Sequence, residues 1–248
     1  MIDKFLLWSG SKIPFIEIEE SIVQPKLKEI AMVEEDNFFI AAKILTFSKN
    51  SLSEKDKLGS EDKTNFDIIM SIVNNPNNAQ LKSSVLMLLT IIFPDYFIDL
   101  EGRILLIKSD VDKSVVKVID SFNYESFSEK IKEIFCLKFF ITEQDFNPQG
   151  KLSREIAEKI KKGRAIVAKE KGQNQENFSL LCYYSELLCM NGYSPEEVNN
   201  LTLYQLYILG EKYKNKVLYE QYERWKIAGA KDIENLDHWM NFSDEKKK

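Results

Sequence analysis

The chain is poor in the residues that punctuate tight turns, with nine glycines and six prolines in 248 positions. That scarcity argues against an all-β sandwich built from many short strands and turns. Histidine is scarcer still. His238 stands alone, so a hydrolase triad or a histidine-based zinc site lacks its other members. The three cysteines, Cys136, Cys182 and Cys189, show no C-x-x-C spacing. An odd, small set of this kind fits reduced thiols in a cytosolic setting. Cys182 and Cys189 lie two helical turns apart on one face and read as small buried hydrophobes. Long apolar runs are missing too. The longest, residues 85–93, is V-L-M-L-L-T-I-I-F, far short of the ~20 residues a bilayer requires. It reads as a buried core helix. The opening M-I-D-K-F-L-L-W-S-G is too short in its apolar part for a signal peptide. No G-x-x-x-x-G-K and no G-x-G-x-x-G occurs, so no nucleotide cofactor is expected. Basic excess is absent as well: net charge −5 and pI near 5.3 disfavour nonspecific nucleic-acid binding.

Acids are plentiful but scattered. Asp110, Asp112, Asp120 and the Glu34-Glu35-Asp36 cluster offer carboxylates for a metal, yet in a chain with 39 acidic residues such groups read as solvated faces. The basic run Lys159, Lys161, Lys162, Arg164, Lys169 and Lys171 is interleaved with Glu155, Glu158 and Glu170. It reads as a mixed-charge helix, not an RNA-binding arm. Neither a metal nor a catalytic residue is assigned.

The pattern predicts a mainly α protein with a minor β component. An N-terminal α+β lobe spans 1–145, a charged helix and linker 146–177, a helical C-terminal domain 178–242, and a disordered tail 243–248. In the first lobe, P-F-I-E-I over 14–18 alternates like a strand and is expected to pair with 4–8. Pro25 suits a first helical turn, with Leu27, Ile30 and Val33 at helical spacing. Further helices are expected over 38–47, 65–73 and 80–93, with N-N-P-N-N as a break. Residues 50–63 read as a loop containing an S-x-x-D cap at Ser53 and Asp56. Residues 96–100 and 103–108 form a hairpin around Glu101-Gly102. Helices over 112–122 and 126–137 follow, the second capped by Ser126 with Glu129. In the C-terminal domain, helices are expected over 178–190, 194–199 and 202–228. Ser194-Pro195-Glu196-Glu197 and Thr202 with Gln205 supply explicit helix starts.

The stretch 201–240 is distinctive. It holds five of the ten tyrosines, two of the three tryptophans and the single histidine. His238, in L-D-H-W-M, reads as packing rather than chemistry. Tyr204, Tyr207, Tyr213, Tyr219, Tyr222 and Trp225 spread around more than one helical face. Tyr and Trp tolerate both burial and water, so part of this set suits a partner surface.

The segments N-L-T-L-Y-Q-L-Y, W-K-I-A-G-A-K-D and L-D-H-W-M resemble the C-terminal end of a family of tail-assembly proteins from phages of low-GC Gram-positive bacteria. S-I-V-Q-P-K-L-K-E-I resembles the opening of phage baseplate and tail-assembly proteins. The resemblance covers the last forty or so residues and about ten near the start. It implies a non-enzymatic tail or baseplate assembly protein, a chaperone or minor structural component. Its partners would be phage tail proteins such as the tape measure or baseplate hub, with a homo-oligomer as a further option and no membrane. It would act in the host cytoplasm during assembly or in the virion tail. Tyr204, Tyr207, Tyr213, Trp225 and Trp239 are the expected partner-binding residues. The alternative is a regulatory DNA-binding protein using the helix-turn-helix-like corner at 194–207. A third reading, an enzyme with an unfamiliar carboxylate site, requires three or more acids converging in one pocket.

Overall fold

The computed structural model describes residues 2–49, 62–100, 102–109, 114–140 and 179–229. They form a mainly helical protein with a two-stranded and a three-stranded antiparallel sheet.

The chain opens with α1 (Lys4–Ser9), where a strand was expected over 4–8. Local capping explains the difference. The Asp3 carboxylate accepts the Phe5 N–H at 2.9 Å, and Gly10 closes the turn at φ 68°. Both are helix-end signals that outweigh a short alternation. The strand partner of β1 (Ile13–Phe15) is instead β2 (Glu20–Ile22), across the 3-10 turn Ile16–Ile18, with Ile13 opposite Ile22.

Three helices build the centre of the first lobe: α2 (Leu27–Val33), α3 (Glu35–Leu45) and, after the undescribed loop, α4 (Asn65–Val73). Pro25 lies just before the Lys26 N-cap rather than inside the first turn. Thr64 and Asp67 cap α4 reciprocally, and Pro76–Asn78 forms the expected break as a 3-10 turn. The apolar run becomes α5 (Ala79–Ile92), which buries Val85, Leu88, Leu89 and Ile92 and packs on α3.

The hairpin appears as β3 (Phe97–Asp99) and β4 (Ile104–Ser109), with Gly102 at φ 71°. Its neighbour is β5 (Ser114–Ile119), not the helix expected over 112–122. Four of the six residues in S-V-V-K-V-I are β-branched. Stiff side chains of that kind suit a pleated surface, and pairing with β4 satisfies the backbone. The next helix, α6 (Tyr124–Ile134), starts two residues before the expected Ser126 cap. Ser126 is inside it, and its hydroxyl donates to the Glu17 carboxylate. A short α7 (Leu137–Phe140) follows.

The last three described helices match expectation closely: α8 (Leu180–Met190), α9 (Pro195–Asn199) and α10 (Leu203–Ile227). Both capping boxes form, Ser194 with Glu197 and Thr202 with Gln205. The expected boundary and linker at 146–177, the Ser53–Asp56 cap and the 243–248 tail lie outside the described residues.

One buried cluster links the N-terminal segment to the last described helices, from Leu7 and Phe15 through Phe38, Leu89 and Phe127 to Leu188, Leu203 and Leu206. Main-chain bonds fix the junction. Leu27 N–H donates to the Leu201 carbonyl at 3.0 Å, and Lys26 bridges Thr202 as a one-residue antiparallel pair. The Gln24 amide donates to the carbonyls of Leu6 at 2.9 Å and Ser11 at 2.8 Å. Gln205 has two tasks. Its Oε1 accepts the Thr202 N–H at 2.9 Å, and its Nε2 donates to the Trp8 carbonyl at 2.7 Å. Gln205→Glu keeps the capping acceptor and loses the donor. It is expected to cost about 1 kcal/mol in urea unfolding, with α10 helicity by circular dichroism unchanged.

Candidate functional site

The aromatic segment folds as α10, a helix of 25 residues whose two halves differ. In the first half Leu203, Tyr204, Leu206, Tyr207 and Ile208 are all buried. Their spacing wraps most of the helix circumference because α8 and α1 both pack against this end. Tyr207 stacks on Phe139 with ring centroids 3.8 Å apart and meets the edge of Tyr184 at 6.3 Å. The Tyr184 hydroxyl donates to the Glu211 carboxylate, which also pairs with Lys214 at 3.0 Å. Burial pushes the Tyr184 phenol far above its usual range, and the Glu211 hydrogen bond adds to the shift. This phenol stays protonated and serves as a fixed donor.

Gly210 makes the α8–α10 contact possible. A Cβ built there overlaps the Tyr184 ring, so the glycine admits an aromatic side chain against bare backbone. An isolated glycine within a helical pattern is the sequence signal for such an approach. Phe139, Tyr184 and Tyr193 carried no comparable signal, because their partners lie far away in sequence.

The second half of α10 is different. Tyr213 is half-buried, edge-on to Tyr193 at 6.2 Å. Val217 and Leu218 are exposed, Trp225 is 57% exposed and Ile227 84% exposed. Tyr222 is buried beside Tyr219, with the Lys226 ammonium 5.6 Å from its ring centroid. Of the five expected contact residues, the structure therefore places Tyr204 and Tyr207 in the core, Tyr213 at its margin and Trp225 in solvent. Trp239 and His238 lie outside the described residues. A side chain at 8% or 6% exposure, as at Tyr204 and Tyr207, reaches a partner only if the core opens.

The α9–α10 corner borders a shallow depression of about 470 Å³ lined by Tyr193, Ser194, Glu196, Glu197, Asn200 and Gln205. Its acids are structural. The Ser194 N–H and hydroxyl, both 2.8 Å from Glu197 Oε2, hold that carboxyl below its ordinary range. Elsewhere Glu35 accepts the Ser179 hydroxyl at 2.6 Å, and Asp120 accepts the Phe122 N–H at 2.9 Å. Asp110 and Asp112 lie outside the described residues. Among the described residues no three His, Cys, Asp or Glu side chains are grouped to hold a metal ion. The cysteines need one correction: Cys136 is buried, but Cys182 is exposed and Cys189 only half-buried. The face of α8 that carries Cys182 points away from the α10 contact made by Tyr184.

Gly210→Ala sets two effects against each other. Alanine improves helix propensity by about 1 kcal/mol, whereas overpacking a filled contact costs about 1–3 kcal/mol. Displacement of the Tyr184 ring is expected to dominate, so thermal unfolding should show a lower Tm. A rise in Tm would mean that the ring yields freely. A second expectation concerns pH. Hydrogen bonds lower the pKa of Glu17 (Ser126 hydroxyl), Asp67 (Thr64 hydroxyl and N–H) and Glu197 (Ser194 N–H and hydroxyl). Each folded pKa lies below the unfolded one, so the stabilisation is complete above the ordinary values of 4.5 for Glu and 3.8 for Asp. It is lost as pH falls through the lowered folded values. Melting curves should show Tm declining with acidification below about pH 4.5, less steeply in Glu197→Gln, which keeps an uncharged capping acceptor.

No family model, no curated protein and no solved structure matches this chain.

Proposed function

We propose that the protein is a non-enzymatic assembly factor of a bacteriophage tail or baseplate, working through protein–protein contacts. The motif resemblance of its C-terminal segment supports this reading. The observation that carries the mechanism is the outer half of α10, where Leu218 and Trp225, two helical turns apart on one face, remain exposed after the inner half has entered the core. An exposed apolar and aromatic helix face suits the apolar side of a partner helix, with the aromatic rings supplying most of the contact area. Leu218 and Trp225 carry that contact, with Tyr213 at the core margin and Tyr204 and Tyr207 positioning the helix from within the core. The partner is a tail protein such as the tape measure or the hub. The setting is the host cytoplasm during assembly. No described helix is long and apolar enough to cross a membrane.

The DNA-binding alternative draws little support. Residues 194–207 contain no lysine or arginine. Groove binding relies on cationic side chains and an accessible recognition helix. Here the helix in the recognition position is α10, and Leu203, Tyr204, Leu206 and Tyr207 of its first turns are buried.

Co-expression with the tape-measure or hub protein from the same phage provides the test. The wild-type pair should copurify. Leu218→Asp and Trp225→Ala should each lose at least tenfold in affinity while keeping wild-type circular dichroism. Absence of copurification with either protein, or full retention in both variants, would rule this surface out.

A further inference from the structure

The elbow between α2 and α3 turns on one residue. The backbone of Glu34 sits at φ 67°, ψ 137°. That lies outside even the small left-handed helical well, in a region that favours glycine. The local sequence does not call for a break. L-K-E-I-A-M-V-E-E-D-N-F-F-I-A-A-K-I-L, residues 27–45, contains neither glycine nor proline. The Glu34 side chain does not cap α3 either.

A single straight helix over 27–45 is the competing conformation, and the apolar pattern already suits it. At about 100° per residue, the six buried side chains of the two helices share an arc of about 120°. They are Leu27, Ile30, Phe38, Ala41, Ala42 and Leu45. Glu34 falls near the middle of that arc. A straight helix therefore turns its carboxylate toward the core stripe, where an unpaired charge is destabilising. The bend leaves Glu34 exposed, with its carboxylate accepting from Asn37 Nδ2 at 3.2 Å. Each form carries one penalty: backbone strain in the bent one, charge burial in the straight one.

The C-terminal helices tip the balance, because they hold the elbow on both sides. On α2, the Leu27 N–H donates to the Leu201 carbonyl at 3.0 Å, and Lys28 Nζ donates to Asn200 Oδ1 at 2.9 Å. On α3, Glu35 accepts the hydroxyl of Ser179, the N-cap of α8, at 2.6 Å. We propose that the elbow is a two-state hinge at Glu34. It is bent while α8–α10 are docked, and it straightens into one helix over 27–45 when they leave. Undocking of those helices is thereby coupled to release of the strain at Glu34, so the junction of α2 with the α9–α10 corner opens without global unfolding. A packed element with two discrete arrangements is what such coupling requires. The hinge is independent of the partner surface on α10.

Native-state hydrogen exchange of the full chain tests it. The Leu27 amide is the reporter, because its acceptor, Leu201, belongs to the part that leaves. In the unmodified protein this amide should exchange through a local opening, at a rate nearly independent of low urea concentrations and at least tenfold faster than the amides of α5. Two substitutions push the hinge in opposite directions. Glu34→Gly relieves the bent form and weakens the straight helix, whereas Glu34→Ala keeps the strain and removes the buried charge from the straight helix. Leu27 exchange should slow at least fivefold in the first and quicken at least fivefold in the second. The Tm of Glu34→Gly should exceed that of Glu34→Ala by about 2–6 °C, the reverse of the order these residues have inside a helix. Leu27 exchange that follows global unfolding, or a higher Tm for Ala than for Gly, would overturn the hinge. An Ala variant exchanging at the wild-type rate would mean that α2 opens by unwinding, and would overturn it as well.

Discussion

The fold depends on a small set of polar contacts at the start of α10, where the N-terminal segment is tied to the last described helices. Lys26 and Leu27 at the start of α2 meet Leu201 and Thr202 through backbone bonds. Gln205 caps its own helix with one side of its amide and holds the Trp8 carbonyl with the other. Gln24 holds the carbonyls of Leu6 and Ser11. These bonds satisfy backbone groups that have no helix or sheet partner, a requirement wherever a chain turns inside a folded protein. Once α10 is anchored there, its first turns have no choice but to face the core.

That anchoring divides the aromatic segment. Tyr204 and Tyr207 lie on the turns next to the anchor, between α8, Phe139 and the rest of the core. Gly210 lets Tyr184 lie directly on the α10 backbone, which fixes how closely α8 approaches. Farther along, Leu218, Trp225 and Ile227 extend beyond this close contact and stay exposed. The helix thus has two parts: Tyr204 and Tyr207 lie in the core, and Leu218 and Trp225 stay exposed.

The sheet shows the same economy. Its inner face closes the core beside α5 and α6, while Tyr96 donates its hydroxyl to Glu20 and joins the sheet to the β1–β2 pair. Partial burial, the hydrogen bond to Glu20 and its charge push the Tyr96 phenol up to about 12, so this link persists across the working pH range.

Much of the helical order was legible in the chain itself. Ser194 with Glu197 and Thr202 with Gln205 specify helix starts through atoms only three residues apart, and these formed as the local chemistry dictates. The Gly102 hairpin and the N-N-P-N-N break are local in the same sense. The errors were also local in origin. Residues 4–8 were too short for period-two alternation to mean a strand against an Asp3 cap and a Gly10 stop. In β5 the β-branched run carried the strand signal, and only pairing with β4 made it decisive. Sequence alone could not assign Tyr204 and Trp225 to different environments, since both are aromatic residues on one amphipathic-looking helix. Their separation follows from contacts across distances of up to 197 residues, such as Trp8 with Gln205. Caps, turns and periods act within a few residues and are written in the sequence. Which faces become core, and which stay exposed, is decided only when distant segments meet.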